Sequence, residues 1–357
     1  MTFRRGLERV ARPQIRVSAS ESKACEPVKI TAASLGKRPD ARFGYRRREM
    51  RLSRRDMLLF SGLSTAQAAG AAQAGGSDLV LRNRDGLTVR PIGDSNRPAI
   101  AVALPDAQGA DAVVVELPEH AWRRSTAGAE PEWFYRMYTS ESRYMGKTTW
   151  HREGDALVYS MALPAGITLA GTATLHSDGL LIEYEIGNPG DTAFVETQAP
   201  TCIKLYRPFT DVFLERTYVH HADGLDLIAS ETPERLTKNT EEWLPCRYIV
   251  RSSPQTAPPK DRIERQADRV TRYHKFRPAD APFIATGSNP PGWVAATHAL
   301  SCPAVWTNPA RTCHHTDVSA PLPANSKAKL ALKLYLFRGT VADAWRRVAS
   351  QRQANRL

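Results

Sequence analysis

The chain lacks the short motifs that mark the commonest nucleotide-binding and hydrolase sites. Its 357 residues contain no phosphate-binding loop, no dinucleotide fingerprint, no G-x-S-x-G elbow, no H-E-x-x-H pair and no C-x-x-C. Nucleotide, haem and metalloprotease functions of the familiar types therefore lose their sequence support, and no cofactor is predicted. No apolar run is long enough and apolar enough to span a bilayer stably, so no membrane span is predicted either.

The excess of positive charge is confined to the beginning of the chain. The formal net charge is +12, but the residues up to Arg55 hold sixteen Lys and Arg against five Asp and Glu. The remainder holds 33 basic and 32 acidic residues and is nearly neutral. A nucleic-acid surface needs a basic patch on the folded body, so no nucleic-acid partner is predicted.

Residues 50–74 resemble a bacterial twin-arginine signal peptide. The run Ser53-Arg54-Arg55-Asp56-Met57-Leu58-Leu59 is similar to the Ser-Arg-Arg-x-Phe-Leu-Lys consensus, and a mildly apolar stretch follows it to Ala72. The small-residue site Ala72-Gln73-Ala74 then leaves a mature chain that starts near Gly75. An alanine-rich surface helix behind two chance arginines is the alternative. The order of arginines, apolar run and A-x-A favours the signal, which implies the twin-arginine machinery as a partner and a periplasmic or secreted protein.

The predicted organisation has three parts. Residues 1–49 are rich in arginine, lack hydrophobic periodicity and end just before Met50. We expect them to be a disordered extension or the product of an overextended gene start, outside the fold in both cases. Residues 50–74 are the signal peptide, and residues 75–357 form one folded domain without an internal boundary or repeat.

Alternating apolar and polar residues dominate this domain. The run Lys327–Phe337 places leucines at every second position, which is typical of a strand with one buried face. Ser177-Asp178-Gly179 separates two such runs as a hairpin turn. Helical spacing occurs only at the C-terminus, where Thr340 precedes Asp343 as in a capping box. The predicted fold is all-β, a large antiparallel β-sandwich closed by a short C-terminal helix.

The cysteine count leaves the redox state open. One cysteine, Cys25, lies in the leader, and four remain in the body: Cys202, Cys246, Cys302 and Cys313. In an exported protein four cysteines permit two disulfides in any of three pairings. Twin-arginine substrates usually fold before export in a reducing compartment, so buried free thiols are the equal alternative.

Two segments resemble β-supersandwich proteins related to galactose mutarotase. The strand Leu180–Gly190 is similar to a Leu-x-Ile-x-Tyr-x-Ile-x-Asn-x-Gly strand that is frequent in that group. The segment Thr307–Ala344 is similar to the end of exported bacterial proteins of this kind, where a Cys-x-His-x-Asp strand precedes a long strand and a short helix; here these residues are Cys313, His315 and Asp317. The resemblance implies the supersandwich fold and a sugar ligand. It implies no activity, because the His acid and Glu base of mutarotases do not both fall on matching motif positions.

Two His-His-x-Asp motifs are the first candidates for chemistry. On a strand His221 shares a face with Asp223, and His315 shares one with Cys313 and Asp317. A carboxylate beside an imidazole fixes its tautomer and raises its basicity, as a general base requires. With a third and fourth ligand the same grouping suits zinc. The structural alternative is that these histidines lie at strand ends and turns and face solvent.

Further candidates come from paired carboxylates and aromatic rings. Glu183 and Glu185 share one strand face at the spacing of a sugar-cleaving acid and base, although a solvated face opposite buried residues gives the same pattern. Tryptophans offer flat platforms for pyranose rings, or they simply pack in the core. The predicted substrate-binding residues are Trp293, Trp306, Trp243 and His298.

Three hypotheses about function follow. The first is an exported carbohydrate-recognising protein that acts on a sugar by acid–base chemistry at His315, supported by Asp317. The second is a non-catalytic sugar-binding or envelope-assembly module. The third is a metal-loaded enzyme.

Overall fold

Strands make up most of the part of the chain that the structure describes. A computed structural model describes residues 78–92, 97–106, 110–137, 148–230, 246–253, 262–265, 271–307, 312–354 and 357, with the backbone alone for 246, 262–265 and 271–276. These residues belong to one unit by their contacts. The extension and the signal peptide predicted over residues 1–74 lie outside the described residues.

The described residues form 23 strands and one α-helix, in addition to a 3₁₀ turn at Pro164–Gly166. In chain order the strands are β1 (Leu81–Arg82), β2 (Thr88–Pro91), β3 (Ala99–Ala103), β4 (Asp111–Glu116), β5 (His120–Arg124), β6 (Glu132–Arg136), β7 (Trp150–Glu153), β8 (Ala156–Ala162), β9 (Thr168–His176), β10 (Gly179–Asn188), β11 (Phe194–Ala199), β12 (Cys202–Leu205), β13 (Thr217–His221), β14 (Gly224–Leu227), β15 (Cys246–Val250), β16 (Arg262–Arg265), β17 (Thr271–Ala279), β18 (Phe283–Gly287), β19 (Trp293–Ala299), β20 (Ala304–Trp306), β21 (Cys313–Thr316), β22 (Val318–Leu322) and β23 (Ser326–Arg338). The helix, α1, is Val341–Gln353.

The strands pair into three sheets. A ten-stranded sheet has the order β1-β2-β3-β4-β12-β21-β20-β15-β17-β16, a nine-stranded sheet the order β14-β13-β18-β19-β23-β10-β9-β8-β7, and a small sheet the order β22-β11-β5-β6. Neighbouring strands run antiparallel, with β15 and β17 as the parallel exception among the described pairs. The predicted class, an antiparallel β-sandwich with a short C-terminal helix, is confirmed.

The two large sheets pack face to face through alternate side chains. Val115 and Ile203 of the ten-stranded sheet and Ile182 and Leu332 of the nine-stranded sheet are fully buried in one apolar cluster. Removing these side chains from water is the main favourable contribution to folding, at about 25 cal/mol per Å² of apolar surface. Strict alternation therefore assigns each strand one face that lies inside the sandwich.

The second face of β23 is covered by helix α1. The Thr340 hydroxyl accepts a hydrogen bond from the Asp343 backbone N–H at 3.2 Å, and the Asp343 carboxylate accepts one from the Thr340 N–H at 2.8 Å. This reciprocal capping box, predicted from the sequence, fixes where the helix begins. Val348 then packs with Tyr335 and Phe337 of β23. Among the described residues, no helix is long and apolar enough to cross a membrane.

Three neighbouring strands pass from the ten-stranded sheet into the small sheet. β4 leads into β5 through Leu117-Pro118, β11 leads into β12 through Pro200-Thr201, and β21 leads into β22 through Asp317. A proline has no N–H for a strand ladder, which favours an interruption and a bend at two of these three places. We call residues 117–119, 200–201 and 317 the corner.

Two tyrosines of the nine-stranded sheet hold the corner from inside the sandwich. The hydroxyl of Tyr159 donates to the Leu117 carbonyl oxygen, and the hydroxyl of Tyr184 lies 2.6 Å from Oγ1 of Thr201. Burial raises the pKa of both phenols far above its ordinary value, so both stay neutral. The bends of β4 and β11 are therefore anchored to the opposite sheet.

Candidate functional site

The outer face of the ten-stranded sheet carries a cluster of polar side chains beside the corner. β12 and β21 are antiparallel neighbours, with Ile203 opposite His314. Since side chains alternate along a strand, these two point into the sandwich, whereas Cys202, Cys313 and His315 share the outer face. The last three are nevertheless only 4%, 3% and 2% exposed.

His315 is held by three neighbours. Its Nδ1 lies 3.7 Å from Oδ1 of Asp317, and its Nε2 lies 3.4 Å from Sγ of Cys313. The indole of Trp306 stacks on the imidazole and donates a hydrogen bond from Nε1 to Oδ2 of Asp317 at 2.8 Å. The structure thus brings together three of the residues predicted for the site, His315, Asp317 and Trp306.

These neighbours set the charge of His315. Burial lowers the pKa of the imidazole, but the Cys313 sulfur and the Asp317 carboxylate outweigh it, and the pKa lies well above its ordinary value. The imidazole is therefore protonated, and the Cys313 sulfur on one side and the Asp317 carboxylate on the other stabilise its positive charge. On the inner face of the same strand, burial lowers the pKa of His314 to about 3, so that ring is neutral.

The sulfur of Cys202 lies close to that of Cys313, and two carboxylates lie close to Cys202. Sγ of Cys202, Sγ of Cys313 and a ring nitrogen of His315 all lie within 4.8 Å of one another. Carboxylate oxygens of Glu116 and Glu119 lie within the same distance of Cys202 and of each other. A hydrogen bond with Cys313 and burial raise the pKa of the Cys202 thiol well above its ordinary value. Sulfur, imidazole and carboxylate are the ligand types that transition metals take in proteins.

The accessible part of the site is formed by Glu119 and His120. Nε2 of His120 lies 3.7 Å from Oε1 of Glu119, and the two side chains are 27% and 17% exposed. Burial raises the pKa of Glu119 to about 6, and the charge of His315 opposes this shift. Burial lowers the pKa of His120 to about 4, and the charge of His315 adds to that shift. At neutral pH Glu119 is thus an anion and His120 is neutral.

Aromatic rings continue the site along the small sheet. Trp133 of β6 is 39% exposed and meets His120 edge to face, with ring centroids 5.6 Å apart. Its indole also lies 6.3 Å from that of Trp122, and the guanidinium of Arg136 lies 4.3 Å from the ring centroid. An exposed indole thus stands directly beside the polar pair Glu119–His120.

His221, predicted as a second candidate base, lies elsewhere. It belongs to β13, at 1% exposure, with Nδ1 2.7 Å from the Pro278 carbonyl oxygen and its ring against Tyr248. Asp223 lies in the turn that follows and pairs with Arg277. The His-His-x-Asp motif at residues 220–223 therefore lies at a strand end and in a turn.

Glu183 and Glu185 lie on the outer face of the nine-stranded sheet. They line a cavity of about 510 Å³ together with Ala170, Lys329 and Leu300. Glu185 pairs with Lys327 at 2.5 Å, and both of these side chains are well exposed to solvent. The predicted carboxylate pair is thus on a solvated face, apart from the His315 cluster.

Two predicted substrate-binding residues belong to β19. Trp293, 8% exposed, lines a cavity of about 840 Å³ together with Pro290, Pro291 and Arg338, whose guanidinium lies 4.8 Å from the ring centroid. His298 points to the opposite face, as the odd spacing requires, and is 1% exposed with Nδ1 3.0 Å from the Pro282 carbonyl oxygen. These two residues therefore lie on opposite faces of β19. Trp243 lies outside the described residues.

The structure also describes three of the four cysteines of the body. Cys202, Cys302 and Cys313 are buried and form no disulfide among the described residues, and the side chain of Cys246 is outside the described part. Cys202 was of interest in the sequence only as a disulfide candidate. Glu119 and His120 carried no spacing pattern at all; the one local signal is that Glu119 follows Pro118 directly and Cys202 lies two residues after Pro200.

Comparison with known proteins finds similar chains among solved structures. No protein-family model matches the chain, and no curated protein matches it. Among solved structures, a galactose mutarotase related enzyme from Lactobacillus acidophilus is 9% identical with a TM-score of 0.41, covering 73% of this chain and 98% of its own. A galactose mutarotase-like protein from Lactobacillus casei ATCC 334 is 12% identical with a TM-score of 0.40, covering 72% and 99%. Both are named after galactose mutarotase, the group that two segments of the sequence resemble.

Proposed function

We propose that this protein recognises a carbohydrate at the corner and acts on it by acid–base chemistry, with Glu119 as the carboxylate that moves the proton. The observation that carries the proposal is the partly exposed line from Trp133 through His120 to Glu119. In this line the exposed indole of Trp133 lies beside the imidazole of His120 and the carboxylate of Glu119. The buried pair His315 and Asp317 lies behind them.

A sugar ring fits these groups for physical reasons. The C–H faces of a pyranose are apolar and pack on an indole such as that of Trp133, while its hydroxyl groups need hydrogen-bonding partners at the edge of the ring. Glu119 accepts a hydroxyl proton, and neutral His120 hydrogen-bonds without adding charge. His315 and Asp317 act from behind Glu119: the imidazolium stabilises the carboxylate, and Asp317 holds the imidazolium.

The test combines binding with turnover. A glycan array identifies the ligand class, and a panel of aldoses and glycosides followed by NMR detects epimerisation or cleavage. We expect E119Q to lower kcat by roughly 100-fold or more with a small change in KM, and W133A to weaken binding by roughly tenfold. E185Q is the matched control, because Glu185 is a carboxylate on the nine-stranded sheet, away from the corner. Loss of activity in E185Q with full activity in E119Q would place the chemistry in the cavity beside Glu183.

A non-catalytic module is the second candidate function. The observation that favours it is the burial of His315, which is 2% exposed with one ring face covered by Trp306. Such a module binds sugar, or another component of the cell envelope, through Trp133 and His120 alone. Binding on the glycan array, without turnover of any sugar in the panel and without an effect of E119Q, would support it.

We propose, finally, that the protein works outside the cytoplasm, in the periplasm or as a secreted protein. The support is the order of Arg54-Arg55, the apolar stretch and Ala72-Gln73-Ala74 in the sequence. Expression of the chain in a bacterium with a twin-arginine pathway, followed by cell fractionation, tests this. We expect the R54K/R55K variant to stay in the cytoplasm uncleaved. Equal export of that variant would contradict the assignment.

A further inference from the structure

We infer that Cys202, Cys313 and His315 form a binding site for a divalent transition-metal ion of the zinc type, with Glu119 or a water molecule as the fourth ligand. The inference goes beyond the proposed function, because it holds whether or not Glu119 acts on a sugar. In the metal-loaded protein the ion would take the place of the Nε2 proton of His315 as the positive charge behind Glu119. Its first support is convergence: the two sulfurs and the imidazole nitrogen lie within 4.8 Å of one another. Tetrahedral zinc with two thiolates and one imidazole spans distances of this size, since its ligand bonds are about 2.0–2.3 Å long.

The orientation of His315 is that of a metal ligand. Nε2 faces the Cys313 sulfur at 3.4 Å, while Nδ1 faces the Asp317 carboxylate at 3.7 Å. Metal-binding histidines commonly give the N–H of the other nitrogen to a carboxylate, which fixes the tautomer and makes the binding nitrogen more basic. Asp317 is in turn held by the hydrogen bond from Trp306. The cluster thus has both a set of ligands and a supporting shell.

The position of the carboxylates indicates an open site rather than a closed structural one. The sulfurs and the imidazole are almost fully buried, whereas the side chain of Glu119 is 17% exposed. Glu119 and Cys202 have ligand atoms within 4.8 Å of each other. Three protein ligands with a fourth position towards solvent is the arrangement of catalytic zinc sites, where the ion polarises an oxygen atom of a bound molecule.

Cys302 shows what a buried thiol of this protein looks like outside the cluster. Its Sγ donates to the Ala304 carbonyl oxygen at 2.9 Å, and burial raises its pKa well above the ordinary value. Backbone hydrogen bonds with Ala304 and Asp317 occupy this sulfur. Cys202 and Cys313 instead lie close to each other and to the imidazole of His315, with the Glu119 carboxylate near Cys202. A single cation can bind these groups together, and the two thiols release their protons when it binds.

The experiment is a cobalt titration of the full-length protein after treatment with a reductant and a chelator. We expect one Co²⁺ per chain, a thiolate-to-cobalt charge-transfer band in the near ultraviolet and d–d bands of tetrahedral intensity, with Zn²⁺ displacing Co²⁺. C202S, C313S and H315N each weaken binding by roughly 100-fold or more, and D317N weakens it by roughly 10- to 100-fold through the tautomer of His315. C302S, the matched control, binds like the unchanged protein.

Three results would overturn the inference. The first is a folded, reduced protein that binds less than half an equivalent of Co²⁺ or shows no charge-transfer band. The second is an equal loss of binding in C302S. The third is a Cys202–Cys313 disulfide found by mass spectrometry in the purified protein, with no binding after its reduction. The spectrum of the unchanged protein decides the matter even if a variant fails to fold, and neither metal content nor spectrum depends on sugar turnover.

Discussion

The indole of Trp306 lies parallel to the imidazole of His315, with ring centroids 3.6 Å apart and an angle of 8° between the planes. The two residues are opposite each other in the pairing of β20 with β21, and the indole N–H is bonded to Asp317. One side chain thus covers the imidazole and also holds the carboxylate that faces it.

Replacing Trp306 by phenylalanine separates these two roles. W306F keeps an aromatic ring on His315 but removes the donor to Asp317, so we expect the free energy of unfolding to fall by about 1.5–3 kcal/mol, the range for a hydrogen bond to a charged group. Urea denaturation followed by circular dichroism measures it. A change within error of zero would show that solvent replaces the indole N–H at no cost.

The hydroxyl pair at the corner offers a second test. Tyr184 Oη and Thr201 Oγ1 are 2.6 Å apart and buried, so Y184F leaves Thr201 with its bond to the Ala199 carbonyl oxygen at 3.1 Å as its remaining contact. We expect a loss of about 1 kcal/mol in the free energy of unfolding. In a T201V background the same substitution should cost clearly less. Full additivity of the two changes would contradict a direct bond.

Gly171 tests how closely the core is packed beneath the corner. A Cβ at this position would lie 2.2 Å from Cε1 of Tyr159, the tyrosine that bonds to Leu117. We expect G171A to cost about 2 kcal/mol through displacement of that ring, and less than about 1 kcal/mol in a Y159L background that removes the clash. G190A is the control, because its Cβ meets only one atom, at 3.6 Å. Thermal and urea denaturation of the unchanged protein, G171A, Y159L, the double variant and G190A give the comparison.

His298 makes stability depend on pH. Burial lowers its pKa to about 4, the charge of Arg352 acts in the same direction, and the bond to Pro282 opposes them. The unfolded chain therefore takes up this proton near pH 6.5 and the folded chain only near pH 4. Stability is unaffected above pH 6.5 and falls as the pH drops from 6.5 towards 4. Between about pH 7.5 and about pH 5 we expect His298 to account for a loss of about 2 kcal/mol.

The H298N variant measures this contribution. The asparagine keeps a donor near the Pro282 carbonyl oxygen but does not titrate. Urea denaturation at both pH values should show a smaller loss for H298N than for the unchanged protein, by about 2 kcal/mol. Identical losses would mean that His298 is protonated in the folded protein at pH 5.

Local patterns in the sequence predicted the parts of the fold that depend on neighbours along the chain. The alternating leucines of Lys327–Phe337 predicted β23, because a strand has a period of two. Thr340 and Asp343 predicted the start of α1, because a capping box is contained within four residues. The turn at Ser177-Asp178 was predicted because the Gly179 that follows it tolerates a φ of +140°.

The candidate site was predicted only in part, for the same physical reason. Cys313, His315 and Asp317 alternate along one strand segment, so their common face follows from sequence alone. Glu119 and Cys202 come from distant segments, and only the pairing of β4 with β12 and of β12 with β21 brings them to His315. Such pairing depends on the register of the whole sheet, which no single segment specifies.

The corner also connects the two sheets that carry the site. Glu119 lies on the small-sheet side of the bend in the β4–β5 strand, whereas Cys202 and His315 lie on the large-sheet side of the bends in their own strands. Any swing of one sheet against the other changes the separation of these side chains. A ligand that contacts both sides of the corner therefore holds the two sheets in one relative position. Amide hydrogen exchange along β11, a strand that holds none of the proposed ligand contacts, would then slow on binding.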